Sequence, residues 1–270
     1  MPSKPKDWLA TPNYAGAPDA YYGLCEAAGR NYYEWLAACF APYFGATVLE
    51  HGAGTGLLSE AMREKGARKM VLTEPEPHLA ELLRERFRDH PQVEVFVGTI
   101  EAYAGQPGAG LVDAIVSSNV LEHIPDDAAC LRVMHDLLAP GGILGVYVPA
   151  RPELYGAADE EVGHQRRYRR RELARKLTLA GFEIATIRYR NLIGVLPWWI
   201  SGRLFRQRKL NTTSIKLFDS LVFPISRRLE DWVPPPYGLN LLAIARKAPS
   251  HLVDGTSGLG VAPRVGDEKP

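Results

Sequence analysis

Cysteine is scarce in this chain of 270 residues, which has only Cys25, Cys39 and Cys130. Three cysteines without metal-ligand spacing predict neither disulfides nor a zinc site, and we expect no metal site. Long apolar runs are also missing. The longest, Leu192 to Ile200, is broken by glycine and proline and is shorter than the roughly 20 residues that span a bilayer. The first residues lack the apolar core of a signal peptide, so the sequence predicts a cytoplasmic protein.

Net charge is also small, at +1, but it is unevenly distributed along the chain. Residues 1–150 carry 11 Lys/Arg against 19 Asp/Glu, whereas residues 151–247 carry 19 against 9. The basic second half indicates either an anionic substrate or surface, or a set of solvated helix faces. Since no helix-turn-helix, RNA-recognition or zinc-finger pattern is present, no nucleic-acid partner is expected. The sequence does not decide the oligomeric state.

The most informative stretch is a glycine-rich turn that follows the apolar strand ending in Glu50. Its glycines stand at alternate positions and are Gly52, Gly54 and Gly56. A strand, a glycine turn and a helix N-terminus together predict a nucleotide site at the carboxyl end of the strand. The dinucleotide fingerprint Gly-x-Gly-x-x-Gly/Ala does not fit, because its last position falls on Leu57 or Ser59.

Strands and helices alternate from this turn onwards, which predicts an α/β fold with a Rossmann-like, doubly wound parallel sheet. The predicted strands are Ala46–Glu50, Lys69–Thr73, Val93–Val97, Leu111–Ser117, Ile143–Val148, Phe182–Tyr189 and Gly238–Ala245. We divide the chain into an N-terminal helical cap (1–45), a core (46–190), a helical insert (191–236), a last core strand (237–247) and a disordered tail (248–270).

An acidic residue, Glu74, follows the second predicted strand and lies 20 residues beyond Gly54. A carboxylate at this position accepts hydrogen bonds from the hydroxyls of a bound ribose. The alternative is an exposed acid at a strand end, but the upstream glycines favour the ribose-binding interpretation.

Two further motifs make the pattern specific: Asn-Val-Leu-Glu-His at residues 119–123 and Leu-Ala-Pro-Gly-Gly at residues 138–142. Together with the glycine turn and the strand-two acid, they resemble class I S-adenosylmethionine-dependent methyltransferases over residues 46–150. The resemblance implies S-adenosylmethionine as cofactor and an antiparallel seventh strand. It implies that the cofactor is bound by Glu50, Gly52, Gly54, Gly56, Glu74, Pro75, Thr99, Ile100 and Asn119. The family often has an acid near the adenine after strand three, where this chain has Thr99 and can offer only a hydroxyl, a backbone group or a water-mediated contact.

Residues 163–168, Gly-His-Gln-Arg-Arg-Tyr, are similar to a bacterial subgroup associated with cell-envelope glycan or natural-product genes. We therefore expect methyl transfer to a small-molecule or lipid-linked saccharide acceptor, at oxygen. Alternatives are C- or N-methylation, another reaction such as a cyclisation, and a non-catalytic binding protein. A hydroxyl acceptor needs a general base. The candidates are His164, His123, Tyr168, Asp159 and Glu160, with Arg166, Arg167 and Arg169 nearby to hold an anionic group.

The insert carries both apolar and basic side chains, which suits an amphiphilic or anionic acceptor or peripheral contact with a membrane. The alternative is a helical pair that buries its apolar faces on the domain. The residues concerned are Trp198, Trp199, Phe218, Arg203, Arg206 and Arg208.

Overall fold

A computed structural model describes residues 29–199 and 218–249. Its strands are β1 (Thr47–His51), β2 (Lys69–Glu74), β3 (Val93–Val97), β4 (Val112–Ser118), β5 (Leu138–Pro149), β6 (Phe182–Arg190) and β7 (Asn240–Lys247). Its α-helices are α1 (Arg30–Phe40), α2 (Leu57–Glu64), α3 (Pro77–Arg86), α4 (Ile100–Ala104), α5 (Asp127–Leu137), α6 (Ala157–Glu161), α7 (Arg170–Leu179), α8 (Val195–Trp199) and α9 (Phe223–Trp232). Short 3-10 helices cover Ala41–Tyr43, Leu121–His123 and Pro152–Leu154, and a π-helical turn covers Phe218–Val222.

The seven strands form one sheet in the order β3-β2-β1-β4-β5-β7-β6. Strands β1 to β5 pair in parallel, and β7 is antiparallel to both of its neighbours, β5 and β6. Strand β6 therefore runs parallel to β1. This topology confirms the predicted Rossmann-like sheet with an antiparallel last strand.

Helices cover both faces of the sheet, because successive residues of a buried strand point to opposite sides. Val48 packs in a core cluster with residues of α1, α2 and α3. Its neighbour Leu49 packs in the opposite cluster with residues of α4, α5 and α7. Because β1, β2, β4, β5 and β6 run in the same direction, their carboxyl ends lie at one common edge of the sheet.

Strand β5 begins five residues earlier than the predicted Ile143, so the predicted start of this strand is wrong. Leu138 pairs with Val112, and Ile143 then pairs with Ala114 after a register shift. Gly141 has a φ of +79°, which accommodates the extra residues of this bulge. The proline and glycines therefore interrupt the pairing register rather than the strand.

The N-terminal helix α1 packs on α2 and on the sheet. Residues 1–28 lie outside the described ranges, as do the basic run Arg203–Lys209 and the tail from residue 250. The described parts of the predicted helical insert are α8, the π-helical turn and α9. None of the helices within residues 29–199 and 218–249 is long and apolar enough to cross a membrane.

Candidate active site

The glycine turn between β1 and α2 leaves open space above its middle residue. Gly52, Gly54 and Gly56 all have positive φ, at +70°, +55° and +83°. A Cβ atom on Gly52 or Gly56 would lie 2.7 Å from the side chain of Val120 or Leu83. A Cβ atom on Gly54 would meet no heavy atom within 4 Å. The outer two glycines thus permit close packing, and Gly54 leaves room for a ligand beside the turn.

Glu74 lies at the end of β2, next to this turn. One of its carboxylate oxygens, Oε2, accepts a hydrogen bond from the Gly54 N–H at 2.8 Å, and Oε1 accepts one from the Glu76 N–H at 3.0 Å. Burial raises the pKa of Glu74, although both hydrogen bonds oppose this shift. A carboxylate has about four acceptor positions, so two N–H groups leave acceptor capacity for ribose hydroxyls.

Glu50 is a second buried carboxylate at the same edge. Its Oε2 accepts a hydrogen bond from the Ser59 hydroxyl on α2. Burial raises the pKa of Glu50 to about 8, the Ser59 hydrogen bond opposes this shift, and the charge of Glu74 adds to it. A cationic ligand beside Glu50 would favour its ionised form, as a nearby positive charge does for any carboxylate.

Asn119 directly follows β4 and has a left-handed conformation, with φ of +53°. Its N–H donates to the Tyr147 carbonyl at 2.8 Å, and its side-chain Nδ2 lies 3.4 Å from the hydroxyl of Tyr32 on α1. The strained backbone turns the chain at the point where the methionine part of the cofactor is predicted to bind. Helix α1 therefore reaches the edge of the site.

The remaining predicted cofactor residues lie beyond β2 and β3. Pro75 is half-buried after Glu74. Thr99 caps α4, with its hydroxyl oxygen accepting the Ala102 N–H at 3.2 Å. The Ile100 side chain is fully buried in the core, so only its backbone is available to a ligand. Their roles in cofactor binding stay predictions.

A polar cluster lies where the loop after β5 meets the 3-10 helix after β4. His164 Nδ1 lies 2.7 Å from the Asp159 carboxylate, and Arg167 Nε donates to both oxygens of the same carboxylate at 2.8 and 2.9 Å. Burial alone would raise the pKa of Asp159, but the hydrogen bonds from His164 and Arg167 outweigh it and lower this pKa. Asp159 is therefore ionised and holds the His164 ring by a hydrogen bond. The neighbouring Glu160 is exposed and makes no contact with His164 in the part of the chain described.

Glu122 and His123 complete this cluster. Glu122 Oε1 lies 3.6 Å from His164 Nε2, and burial raises the pKa of Glu122 to about 7. The His123 and His164 rings are 4.8 Å apart between centroids. Burial and the neighbouring His164 lower the pKa of His123 to about 3. His123 is therefore neutral near pH 7.

The backbone of Tyr168 lies beside the end of β5, but its side chain packs in the core. Its ring is fully buried, and its hydroxyl donates to the Asp127 carboxylate at 2.7 Å. Burial raises its pKa, and the Asp127 charge raises it further. A hydroxyl committed to a buried carboxylate favours a structural role for Tyr168 over the predicted catalytic one.

The predicted anion-binding arginines are engaged within the protein to different degrees. Arg166 lies 3.2 Å from Asp127, Arg167 is buried against Asp159, and the exposed Arg169 lies 3.6 Å from Glu153. Only Arg169 among these is exposed enough to meet a ligand without first losing a buried partner.

Sequence reasoning does not single out Glu122, which it treats only as part of the motif at residues 119–123. Its importance arises from contact with His164, which lies 42 positions away in the sequence. An acid directly before His123 was the one available signal, and nothing local distinguishes it from a strand-end acid.

The open space at Gly54 and the two buried carboxylates fit a nucleoside cofactor that carries positive charge. On a mostly parallel sheet with an antiparallel last strand, this arrangement is typical of the methyltransferase class of α/β proteins. The chain belongs to the methyltransferase-domain family, whose model matches residues 26–187. Its family and fold are those of the class I S-adenosylmethionine-dependent methyltransferases, as its resemblance implied. The envelope-glycan subgroup stays a prediction.

Two sequence relatives illustrate the match. One is the ubiquinone biosynthesis O-methyltransferase of Xanthomonas axonopodis pv. citri, which is 38% identical over 112 residues, or 41% of this chain and 46% of the relative. The other is the enzyme of the same name from Azotobacter vinelandii, which is 35% identical over 98 residues, or 36% and 42%. The matched region thus spans less than half of these relatives' own length.

Solved structures share the fold. The 1,6-didemethyltoxoflavin-N1-methyltransferase of Burkholderia thailandensis, with 1,6-didemethyltoxoflavin and S-adenosylhomocysteine bound, has a TM-score of 0.58 and 19% identity, over 92% of each chain. The [4+2]-cyclase SpnF has a TM-score of 0.53 and 17% identity, over 80% of this chain and 82% of that one. At these identities the likeness concerns the fold alone.

Gly54→Val should remove most of the binding of S-adenosylhomocysteine. The valine side chain would enter the open space beside the turn, at a positive φ that β-branched residues avoid. We expect calorimetry to show at least about tenfold weaker binding, which corresponds to about 1.4 kcal/mol. Gly108→Val is the matched control, because Gly108 also has positive φ and open surroundings but lies in an exposed loop. Equal affinity in both folded variants would contradict the assignment of the turn.

Glu50→Gln should change the pH dependence of stability in the cofactor-free protein. The pKa of Glu50 is about 8 when folded against an ordinary 4.5, so its contribution to stability is fully present below pH 4.5 and is lost as pH rises through about 8. Relative to wild type, the variant should gain free energy of unfolding from pH 5 to pH 8, by up to about 1.4 kcal/mol per pH unit. Urea unfolding at each pH measures this, with Glu94→Gln on the exposed side of β3 as control. A difference that does not vary with pH would count against a buried, protonated Glu50.

Proposed function

We propose that this methyltransferase transfers its methyl group to a hydroxyl oxygen of a small-molecule or lipid-linked saccharide acceptor. The observation that carries the choice of oxygen is the His164–Asp159 pair, held 2.7 Å apart beside the glycine-turn edge. A hydroxyl must lose its proton during methylation, and a histidine oriented by a carboxylate is a common means of assisting that loss. Both sequence relatives described above carry the name O-methyltransferase.

When bound, S-adenosylmethionine would supply an electrophilic methyl group on a positively charged sulfur. The acceptor hydroxyl would take this methyl group and give up its proton to His164. The protein's main tasks are to align the acceptor and exclude water. In this proposal Glu74 orients the ribose of the cofactor, and Glu50 and Asn119 bind its methionine end. His164 faces the acceptor hydroxyl, and Asp159 fixes the orientation of its ring.

The insert forms one wall of the acceptor site in this proposal. It leaves the sheet after β6, at the same edge as the glycine turn. The Trp198 indole N–H donates to the Leu154 carbonyl at 3.3 Å, and the Arg167 guanidinium lies 4.7 Å from the Trp198 ring centroid. Helix α8 thus contacts the loop that carries His164.

The second part of the insert contacts the opposite side of the site. Asp219 accepts the Tyr32 N–H at 3.0 Å, and Phe223 packs against Tyr32 and Trp35 at ring distances of 5.8 and 5.4 Å. Since Tyr32 also reaches Asn119, the insert connects α1 with the loop after β5. These contacts support the wall assignment.

Helix α9 and the turn before it expose an apolar face that supports a lipid-linked acceptor. Phe223, Ser226 and Glu230 are buried against the protein. The apolar residues on the other side stand at helical spacing and are 60–90% exposed: Leu221, Ile225, Leu229 and Trp232. An amphipathic helix of this kind suits contact with a membrane surface, from which a lipid-linked acceptor would enter.

His164→Ala should slow methyl transfer without weakening cofactor binding. Loss of hydroxyl activation typically costs about 10²–10⁴ in rate. The measurements are single-turnover transfer from labelled S-adenosylmethionine at saturating acceptor, and calorimetry with S-adenosylhomocysteine. His78→Ala, on the exposed surface of α3, should keep the wild-type rate. A wild-type rate in His164→Ala would argue instead for a nitrogen or carbon acceptor that needs no such help.

Replacing Leu229 and Trp232 together by serine should weaken binding to vesicles of phosphatidylcholine and phosphatidylglycerol. Each apolar side chain contributes about 1.5–3 kcal/mol when it leaves water, so we expect at least about a tenfold lower partition coefficient in co-sedimentation. The matched control replaces Leu111 and Leu179, which are 61% and 71% exposed at the opposite edge of the sheet. Equal vesicle binding by both double variants would exclude α9 as the contact.

A further inference from the structure

A cavity of about 520 Å³ lies on the face of the sheet at β6 and β7. Its volume is within the range of pockets that bind small molecules. The two strands, α1, the 3-10 helix after α1 and α9 all contribute residues to its lining. Strands β4 and β5 stand between β7 and β1 in the sheet order. The cavity is therefore distinct from the glycine turn and its predicted cofactor site.

Arg190 is a buried cation in this lining, and its hydrogen-bonding groups are not satisfied. Its side chain is 7% exposed, and neither Nε nor Nη1 has a hydrogen-bond partner among the described residues. Nη1 lies 2.9 Å from the Asp231 carboxylate, but as an ion pair without hydrogen-bond geometry. The Asp231 side chain is 52% exposed, so water competes with Arg190 for this carboxylate. A buried guanidinium with open N–H groups costs free energy unless another acceptor completes its partners.

Trp35 adds a second unsatisfied donor to the same lining. Its indole Nε1 is buried and has no acceptor in the part of the chain that the structure describes. The Arg190 guanidinium lies 5.7 Å from the Trp35 ring centroid, so the two groups are neighbours. An indole N–H and a guanidinium can only donate hydrogen bonds. The partner that both groups need is therefore an acceptor.

The charges around the cavity favour an anion. Arg188 also lines it, is exposed and adds a second positive charge, whereas Asp231 is the one acidic residue among the described lining residues. Burial raises the pKa of the Cys39 thiol to about 12, although the charge of Arg190 opposes this shift, so the thiol is neutral near pH 7. Glu230, next to Asp231, already accepts two backbone N–H groups, at 2.9 and 2.8 Å. Two arginines against one carboxylate leave one positive charge, which a monovalent anion balances.

Much of the remaining lining is apolar. Leu242 and Ile244 of β7 are buried side chains of the core cluster on this face, and they line the cavity together with Ala38 and Ala185. Apolar surface of a ligand that packs on them leaves water at a gain of free energy. A ligand that fits the cavity thus combines one negative charge with an apolar body.

We propose that this cavity binds a small carboxylate with an apolar body, such as an aryl-substituted carboxylic acid. The carboxylate accepts charge-assisted hydrogen bonds from the open N–H groups of Arg190, and the body packs on Leu242 and Ile244. A phosphate monoester carries up to two negative charges and would exceed the single positive charge of the lining. The site is separate from those of the cofactor and the acceptor, and it does not depend on which atom is methylated.

The test is calorimetric titration of the full chain, saturated with S-adenosylhomocysteine, with 3-phenylpropionate and with its neutral amide, 3-phenylpropanamide. We expect one carboxylate per chain and at least about tenfold weaker binding of the amide, because the amide cannot pair with a buried charge. Arg190→Met should weaken binding of the carboxylate by at least about tenfold as well. The matched control is Arg246→Met, which removes an exposed arginine of β7 outside the lining and should bind as wild type does.

A second variant leaves Arg190 in place. Ala185 is exposed on β6 and lines the cavity, so the larger side chain of Ala185→Phe would occupy the volume of the ligand and weaken its binding. Glu183→Phe adds the same ring at an exposed position of β6 outside the lining and should bind as wild type does. Undiminished binding of S-adenosylhomocysteine, measured separately, verifies that each variant is folded.

The inference is overturned if the wild-type chain does not bind 3-phenylpropionate, or if the amide binds equally well. It is also overturned if Arg190→Met and Ala185→Phe both bind the carboxylate as tightly as wild type, since the ligand would then occupy another site. Neither methyl transfer nor an acceptor enters these measurements, so their outcome is independent of the proposed function.

Discussion

The hydrogen bond from the Gly54 N–H to the Glu74 carboxylate, 2.8 Å long, is the contact on which the cofactor site depends. It joins the turn after β1 to the end of β2 and fixes the height of the turn above the sheet. The same carboxylate is buried, and its pKa is raised, so its ionised form needs every hydrogen bond it can accept. The predicted hydrogen bonds from two ribose hydroxyls would therefore stabilise the ionised form of Glu74 and, through it, the turn.

The parallel sheet extends this constraint to the rest of the site. Because β1, β2, β4, β5 and β6 all end at one edge, the glycine turn, Glu74, Asn119 and the loop with His164 converge there without any local sequence relation. The insert begins at the end of β6 and returns to the start of β7, at the same edge. One topological choice thus brings together the glycine turn, the His164–Asp159 pair and the insert.

Local sequence patterns predicted the features that are set by residues close together in the chain. The bounds of β3 agree residue for residue, since a short β-branched run between turns permits few alternatives. Glu74 was predicted to follow β2 near the glycine turn because one helix and one strand set that distance, and its contact with Gly54 shows this placement. Its contact with a ribose stays a prediction. An aspartate directly before an apolar stretch at helical spacing favours a helix start, and the Asp126 side chain accepts the Ala129 N–H at the start of α5.

The features that sequence patterns missed depend on contacts between distant segments. The start of β5 is set by pairing with β4, which carries it through the bulge at Gly141. Tyr168 stands four positions after His164, yet its bridge to Ala150 turns its ring into the core and towards Asp127. The cluster of Glu122, His123 and His164 likewise arises where two loops pack, and no periodicity or spacing encodes it.

The central claim is that Glu74 binds the ribose of S-adenosylmethionine while holding the glycine turn. Its most direct test is calorimetry of S-adenosylhomocysteine with wild type, Glu74→Ala and the control Glu94→Ala, which removes an exposed acid from β3. Loss of hydrogen bonds to a charged group predicts binding weaker by about 1.5–3 kcal/mol in Glu74→Ala, or roughly 10- to 150-fold. A folded Glu74→Ala protein with the affinity of wild type would contradict this account.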